Sequence, residues 1–351
     1  MSIRTSALEV VSTVEVAAPC DPFLTLPVRC ASDRTIFVRM ADTSGISDLV
    51  SISSDGTNVI RFSSNKINDV LNPKTCAFFV SQSDVYMLAS GSTPQEHSLR
   101  VKKPNGDSEE QRMAAIQEFI VRFGRDGSYR GAVRLDLPFT PYQVGVFPGG
   151  DFLLAGATPD NQVRLALVKS NGQFQRYVEL EGDIQLESQV STPEEKSGHV
   201  ALPMNGKRFG EGFQDVVRVS LIVADGPRLL LLRKVAGAPI FSISAGGDVR
   251  TVTPKVPKGY SLADLKTTPN EWIISYTHRI SDTAGVAFET YALNPASGEI
   301  IQGYSFPRLL GLGMACADGL EFSFLTREEE KLKIVNLLST NRSSSQNHPR
   351  D

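Results

Sequence analysis

One short pattern, a polar or glycine turn followed by an apolar strand, recurs six times along this 351-residue chain. It reads Asp33-Arg34-Thr35-Ile36-Phe37-Val38, then Ser83-Asp84-Val85-Tyr86-Met87-Leu88, then Gly150-Asp151-Phe152-Leu153-Leu154. It returns as Gly226-Pro227-Arg228-Leu229-Leu230-Leu231, Asn270-Glu271-Trp272-Ile273-Ile274 and Asp318-Gly319-Leu320-Glu321-Phe322. Five copies lead into a hairpin turned at glycine: Asp55-Gly56, Asp126-Gly127, Asn171-Gly172, Gly246-Gly247 and Ser297-Gly298. Asp-Gly or Asn-Gly between apolar runs is the strongest short hairpin signal, because a type I′ turn needs positive φ at both central residues. Helical composition is confined to 108–117, where Glu109, Glu110, Gln111, Met113 and Ala114 follow an Asp107/Ser108 cap.

Each copy supplies about four strands, and repeats of this length stack as a β-propeller rather than a helical solenoid. The sixth copy ends in an apolar strand at 331–338 with no partner after it. The missing partner is predicted at the other end, where Leu8, Val10, Val14 and Val16 alternate within 7–16. Pairing first and last strands closes the ring and removes an aggregation-prone edge. The expected architecture is an all-β, six-bladed propeller closed by its terminal strands. It would form one domain over 7–338, with a polar, disordered tail at 339–351. The inner strands are predicted at 23–28, 77–81, 143–147, 216–224, 261–267 and 312–317, and Trp272 is predicted to pack between blades.

Composition narrows the function classes. Hydrophobic residues at 41% and charged residues at 21% exclude global disorder. Lys+Arg 36 against Asp+Glu 39 gives a net charge of -3, with no basic surplus to attract nucleic acid or an anionic membrane. The richest apolar run, Leu229-Leu230-Leu231-Leu232, is stopped by Arg233 and Lys234, far short of a membrane span. The N-terminus has no signal-peptide apolar core. A soluble monomer is expected; its compartment stays open, and export to a periplasm or the exterior applies if a signal has been removed. The cysteines are Cys20, Cys30, Cys76 and Cys316, without a CxxC, so a zinc or thioredoxin-type site is not indicated. They are either free thiols or disulfides of an exported protein. Cys20–Cys30 is the candidate pair, unless 22–30 runs as one straight strand, which would part its ends by ~25 Å.

The six copies and their Asp-Gly hairpins resemble the six-bladed propellers of the NHL-like and TolB-like superfamily, which include uncharacterised bacterial proteins. The resemblance spans roughly 7–338 and is one of architecture. Such folds host lactonases, synthases, peptidase gates and interaction modules. Lactonase-type members hold calcium or another divalent ion with Glu, Asn and Asp from different blades, and those positions find no match here. The inner strands carry Asp264, with Asp215 just ahead of the fourth. No Gly-x-Ser-x-Gly elbow and no Walker loop occur. No catalytic residue and no metal ligand is assigned.

The long segments carry the functional reading. With strands lettered a to d outward, 90–117 is the b–c loop of the second blade and 181–215 connects the third to the fourth. Residues 277–286 form the b–c loop of the fifth, and all three segments fall on one face. They hold His97, His199 and His278, with Arg100, Arg208 and Arg279, as candidate ligand-binding residues. The expected function is a non-catalytic binding or scaffolding module for a protein, peptide or glycan, with no cofactor. The alternative is a divalent-metal-assisted hydrolase or lactonase at the channel mouth, with Ca2+ or another divalent ion as cofactor.

Overall fold

The computed structural model describes residues 4–19, 23–41, 47–67, 70–102, 108–158, 162–180, 220–233, 238–256, 261–279, 286–306, 314–328 and 331–339. Four antiparallel sheets follow one another along the chain, each with its strands in sequence order. The first holds β2 (Phe23–Cys30), β3 (Ile36–Ala41), β4 (Ser47–Ile52) and β5 (Val59–Phe62). The second holds β6 (Leu71–Val80), β7 (Asp84–Lys102), β8 (Ser108–Gly124) and β9 (Tyr129–Arg134). The third holds β10 (Thr140–Val146), β11 (Phe152–Ala157), β12 (Val163–Val168) and β13 (Phe174–Tyr177). The fourth holds β14 (Ser220–Asp225), β15 (Arg228–Arg233), β16 (Ile240–Ile243) and β17 (Val249–Val252).

The remaining strands form one eight-stranded sheet. It begins with β18 (Ser261–Thr267), β19 (Trp272–Arg279), β20 (Val286–Leu293) and β21 (Ile300–Ser305). It continues through β1 (Thr5–Pro19) to β24 (Lys331–Ser339), β23 (Glu321–Glu328) and β22 (Met314–Ala317). The expectation of separate sheets differs here for a local reason. Strand β1 bridges to β21 by three parallel pairs, Thr5↔Gly303, Ser6↔Tyr304 and Ala7↔Ser305, and so fuses the last strands into one sheet.

First strands of neighbouring sheets touch in succession: β6 meets β10, β10 meets β14, β14 meets β18, β18 meets β22 and β22 meets β2. Sheets arranged radially around inner strands in this way make a β-propeller. The expected closure is present. Strand β1 pairs antiparallel with β24 from Leu8↔Ser339 to Pro19↔Lys331, with bulges after Val10 and Glu15.

Apolar side chains fill the spaces between sheets, so most strands are covered on both faces. Phe37, Leu49 and Phe62 of the first sheet pack on Phe78, Met87 and Val121 of the second. Trp272, as predicted, packs between sheets, with Leu221, Leu230 and Leu232. All seven residues of β10 are buried. This explains why the strands read as unbroken apolar runs rather than alternating ones.

Two sequence expectations are corrected by pairing. The 108–117 segment is not a helix; it is the first part of β8, paired with β7 from Lys102↔Ser108 to Asp84↔Gly124. A partner strand overrides helical composition. The glycine hairpins stand where predicted, but their geometry is not type I′. In the 124–128 turn, Gly127 N–H donates to the Gly124 carbonyl, and Gly124 N–H donates to the Ser128 carbonyl. Only the glycine has positive φ, +83° at Gly127. This is a type I turn followed by a left-handed glycine. The Asp126 carboxylate accepts from Ser128 N–H and Oγ–H, which explains the aspartate before the glycine.

These glycines also set the spacing of neighbouring sheets. At Gly172 φ is +88°, and a Cβ would lie 2.0 Å from the Arg134 carbonyl oxygen at the end of β9. Gly56 has φ +71°, and there a Cβ would lie 2.7 Å from the Glu15 carbonyl oxygen and 2.9 Å from Val14 Cγ1. Strand β1 therefore meets the turn of the first sheet as β9 meets the turn of the third. The Ala17 N–H donates to the Gly56 carbonyl across this contact at 2.9 Å.

The inner side of the same seam is covalent. Cys30, at the end of β2, is joined to Cys316 in β22, with Cα atoms 5.2 Å apart and 286 residues between them in sequence. This corrects the Cys20–Cys30 pairing: β2 is a strand over Phe23–Cys30, which carries its two ends apart, and Cys30 is spent on Cys316. Cys20 lies outside the described residues. Cys76 is a free thiol.

Two expected outcomes test this account. Cys316→Ser should cost on the order of 3–5 kcal/mol by urea denaturation, because the bond closes a very long loop, and peptide mapping without reductant should recover a Cys30–Cys316 link. Gly172→Ala should cost about 3 kcal/mol. Gly149→Ala, where a Cβ meets nothing within 4 Å, should stay near wild type in the same measurement.

Candidate functional site

The sequence-derived residues divide between two ribbons and a segment outside the described residues. Within 90–117, residues 90–102 and 108–117 are strand rather than loop. Strands β7 and β8 continue through it as an antiparallel ribbon that sets His97 opposite Met113 and Arg100 opposite Glu110. His278 and Arg279 end β19, opposite Ala287 and Val286 of β20. His199, Arg208 and the whole 181–215 connection fall outside the described residues; so does 280–285. The structure thus places four of the six candidates on the extended ends of second-to-third-strand hairpins.

Sequence reasoning missed the chemistry at the axis. Arg29 of β2 reaches across to β18, with Nη1 3.3 Å from Asp264 Oδ1. Its Nη2 lies 3.5 Å from the Ile222 carbonyl oxygen of β14. Lys266 Nζ contacts Asp264 Oδ2 at 2.7 Å and donates to the Val28 carbonyl at 2.7 Å. Asp264 Oδ1 also accepts the Leu265 N–H at 2.8 Å. All three residues are buried. Three inner strands are therefore tied by one charged cluster. Burial lowers the pKa of both cations. For Lys266 the Asp264 charge opposes the fall and the Arg29 charge adds to it; for Arg29 the Asp264 charge opposes it.

Asp264 was the one inner-strand carboxylate visible in sequence as a potential cation ligand. It faces two cations instead. Among the described residues no group of three or more His, Cys, Asp or Glu is placed to hold a metal ion. The signal that could have found the cluster is Lys266 inside the predicted inner strand 261–267, and Arg29 one residue beyond the predicted 23–28 strand, which runs on to Cys30.

A second polar group lies where the first three sheets meet. Arg39 of β3 donates to the Cys76 carbonyl of β6. The Cys76 Sγ sits 3.7 Å from Ser90 Oγ, and Ser90 pairs in register with Glu118. Desolvation raises the pKa of the Cys76 thiol, which keeps it protonated and a poor nucleophile. Burial likewise raises Tyr142 above its ordinary value. The neighbouring Thr75 hydroxyl is buried without a hydrogen-bond partner among the described residues.

A third cluster is structural. The buried Asp84 carboxylate takes Arg122 at 3.0 Å and Arg130 at 2.6 Å on its two oxygens. Desolvation would raise its pKa, but hydrogen bonds from Arg122 and Ser83 and the two guanidinium charges overcome this and lower it.

No family model matches this sequence, and no curated protein sequence matches it either. Solved structures share its outline at low identity. A protein of unknown function from Dyadobacter fermentans DSM 18053 is 11% identical, covers 95% of this chain and 99% of its own, and superposes with a TM-score of 0.46. The Neurospora crassa Pan2 WD40 domain is 11% identical over 97% of this chain and 98% of its own, with a TM-score of 0.43. YCF48 bound to D1 peptide is 10% identical over 98% of this chain and all of its own, with a TM-score of 0.40. The propeller assignment rests on the strand pairing described above. No described helix is long and apolar enough to cross a membrane.

The Asp84 pKa is lowered in the folded state, so its stabilisation is complete above the ordinary carboxylate pKa near 3.9 and is lost as pH falls through the folded value. Asp84→Asn should cost about 2 kcal/mol at pH 7, a figure moderated by the half-exposed arginines. The gap from wild type should narrow as pH falls below the ordinary carboxylate value and through the lowered folded one, as measured by urea denaturation across pH.

Proposed function

We propose that this chain is a six-bladed, non-catalytic binding propeller whose working face carries the second-to-third-strand ends of its sheets. The blade count follows from reading the eight-stranded sheet as two four-stranded units, β18–β21 and β22–β24 with β1, joined by the short β1–β21 bridge. In that reading β1 is the outer strand of the last blade, and an NHL-like or TolB-like arrangement is the nearest description.

The observation that carries the reading is the β7–β8 ribbon. The described second and third strands of the other sheets are shorter: β11 and β12 have six residues each, and β19 and β20 have eight. Strand β7 has 19 residues and β8 has 17, so this ribbon projects well past its sheet. A paired ribbon presents its edges and faces in a fixed geometry, as a binding surface requires. The β19–β20 end, with His278 and Arg279, leaves on the same side. The 181–215 segment with His199 and Arg208 would complete this face.

Partners of this surface would be a protein, a peptide or a glycan; the net charge of -3 disfavours nucleic acid. The Cys30–Cys316 bond supports folding in an oxidising compartment, in accord with an exported protein. No arrangement among the described residues favours the hydrolase alternative over binding.

The ribbon is the place to test. Replacing 95–115 by a two-residue Asn-Gly turn should leave thermal unfolding within a few degrees of wild type while abolishing capture of peptides and glycans on arrays that the intact chain binds. Unchanged capture by the shortened protein would overturn the assignment of this face.

A further inference from the structure

We propose that the axis of the propeller holds a site for one carboxylate anion, bound by Arg29 with support from Lys266. The site is separate from the ribbon surface and does not depend on it.

Charge is the first ground. Two cations, Arg29 and Lys266, share the single carboxylate of Asp264, and no second carboxylate among the described residues reaches either of them. The cluster therefore carries one surplus positive charge in a buried setting. Uncompensated buried charge is costly, and a monovalent anion would neutralise it.

Hydrogen bonding is the second ground. Lys266 is well held, with contacts of 2.7 Å to Asp264 and 2.7 Å to the Val28 carbonyl. Arg29 is not. Its two contacts are long, 3.3 Å to Asp264 Oδ1 and 3.5 Å to the Ile222 carbonyl. Charge-assisted N–H···O contacts ordinarily run at about 2.7–2.9 Å. The Asp264 Oδ1 that Arg29 approaches is shared with the Leu265 N–H, which holds it more closely at 2.8 Å. A guanidinium carries five N–H donors, so most of its capacity is unused among the described residues.

Geometry is the third. Arg29, Lys266 and the Ile222 carbonyl come from β2, β18 and β14, so the cluster lies where inner strands face one another rather than within one sheet. A planar, forked donor suits the two oxygens of a carboxylate, and one negative charge matches the one surplus positive charge. The ligand class is therefore a small carboxylate or the carboxylate end of a larger molecule. Asp264 acts as the competitor that keeps affinity moderate.

The probe is 13C-labelled acetate, titrated into the full-length protein at fixed ionic strength and followed by NMR line broadening, with thermal unfolding confirming that each variant folds. Wild type should bind saturably. Arg29→Lys, which keeps the charge but loses the fork, and Lys266→Met should each bind at least about tenfold more weakly. Asp264→Asn should bind at least about tenfold more tightly, an effect that a purely structural cluster would not produce. If Lys266→Met or Asp264→Asn does not fold, Arg29→Lys decides. No saturable broadening in wild type, or equal affinity in Arg29→Lys, would overturn the proposal. The 95–115 replacement should bind acetate as wild type does, so loss of the ribbon's docking role would leave this site standing.

Discussion

The pairing of β1 with β24 is the contact on which the remaining architecture depends. Strands from the two ends of the chain share one sheet from Leu8↔Ser339 to Pro19↔Lys331. Without β1, the Gly56 turn of the first sheet would lose the backbone it packs on, and β24 would become an open edge. Val16, Val28, Ile36, Val38, Leu325, Leu332 and Ile334 form one buried cluster across this junction. Burying each such side chain contributes about 1.5–3 kcal/mol, so the seam is a core in its own right. The Cys30–Cys316 bond and the Arg34 contacts to Asp318 and Glu321 then fasten its inner part.

Radial packing also explains where charge can sit. With both faces of each sheet covered by neighbours, polar groups are driven to the rim, to the axis or into specific pairs. The rim accepts exposed pairs such as Lys255–Glu299 at 2.8 Å, which add little stability. The axis takes Arg29, Asp264 and Lys266. Asp84 is the exception between these places, buried but matched on each oxygen by an arginine.

Much of the fold was legible because each repeat declares itself locally. Turn glycines, apolar runs and the alternation of Leu8, Val10, Val14 and Val16 specify strands, turns and closure without reference to distant residues. The misreadings were of a different kind. The 108–117 segment has helix-forming composition, and only its partner 90–102 makes it a strand. The Cys30–Cys316 pair links residues 286 apart, a distance that only ring closure makes short. The axial cluster was illegible for the same reason, since Arg29 and Asp264 are separated by 235 residues. Among the site candidates, His97, Arg100, His278 and Arg279 were read from sequence as loop residues, and only the pairing of β7 with β8 and of β19 with β20 puts them on strands. What they touch depends on tertiary geometry that no local pattern encodes.

The terminal seam has a consequence during synthesis. Strand β1 leaves the ribosome long before its antiparallel partner β24, which spans Lys331–Ser339. At about 5–20 residues per second, β1 waits roughly 15–60 s for that partner. Throughout this interval it is an unzipped edge in a crowded cell. Glu9, Ser12, Thr13 and Glu15, interspersed among its valines, are polar interruptions of the kind that discourage an exposed strand from zipping onto its neighbours.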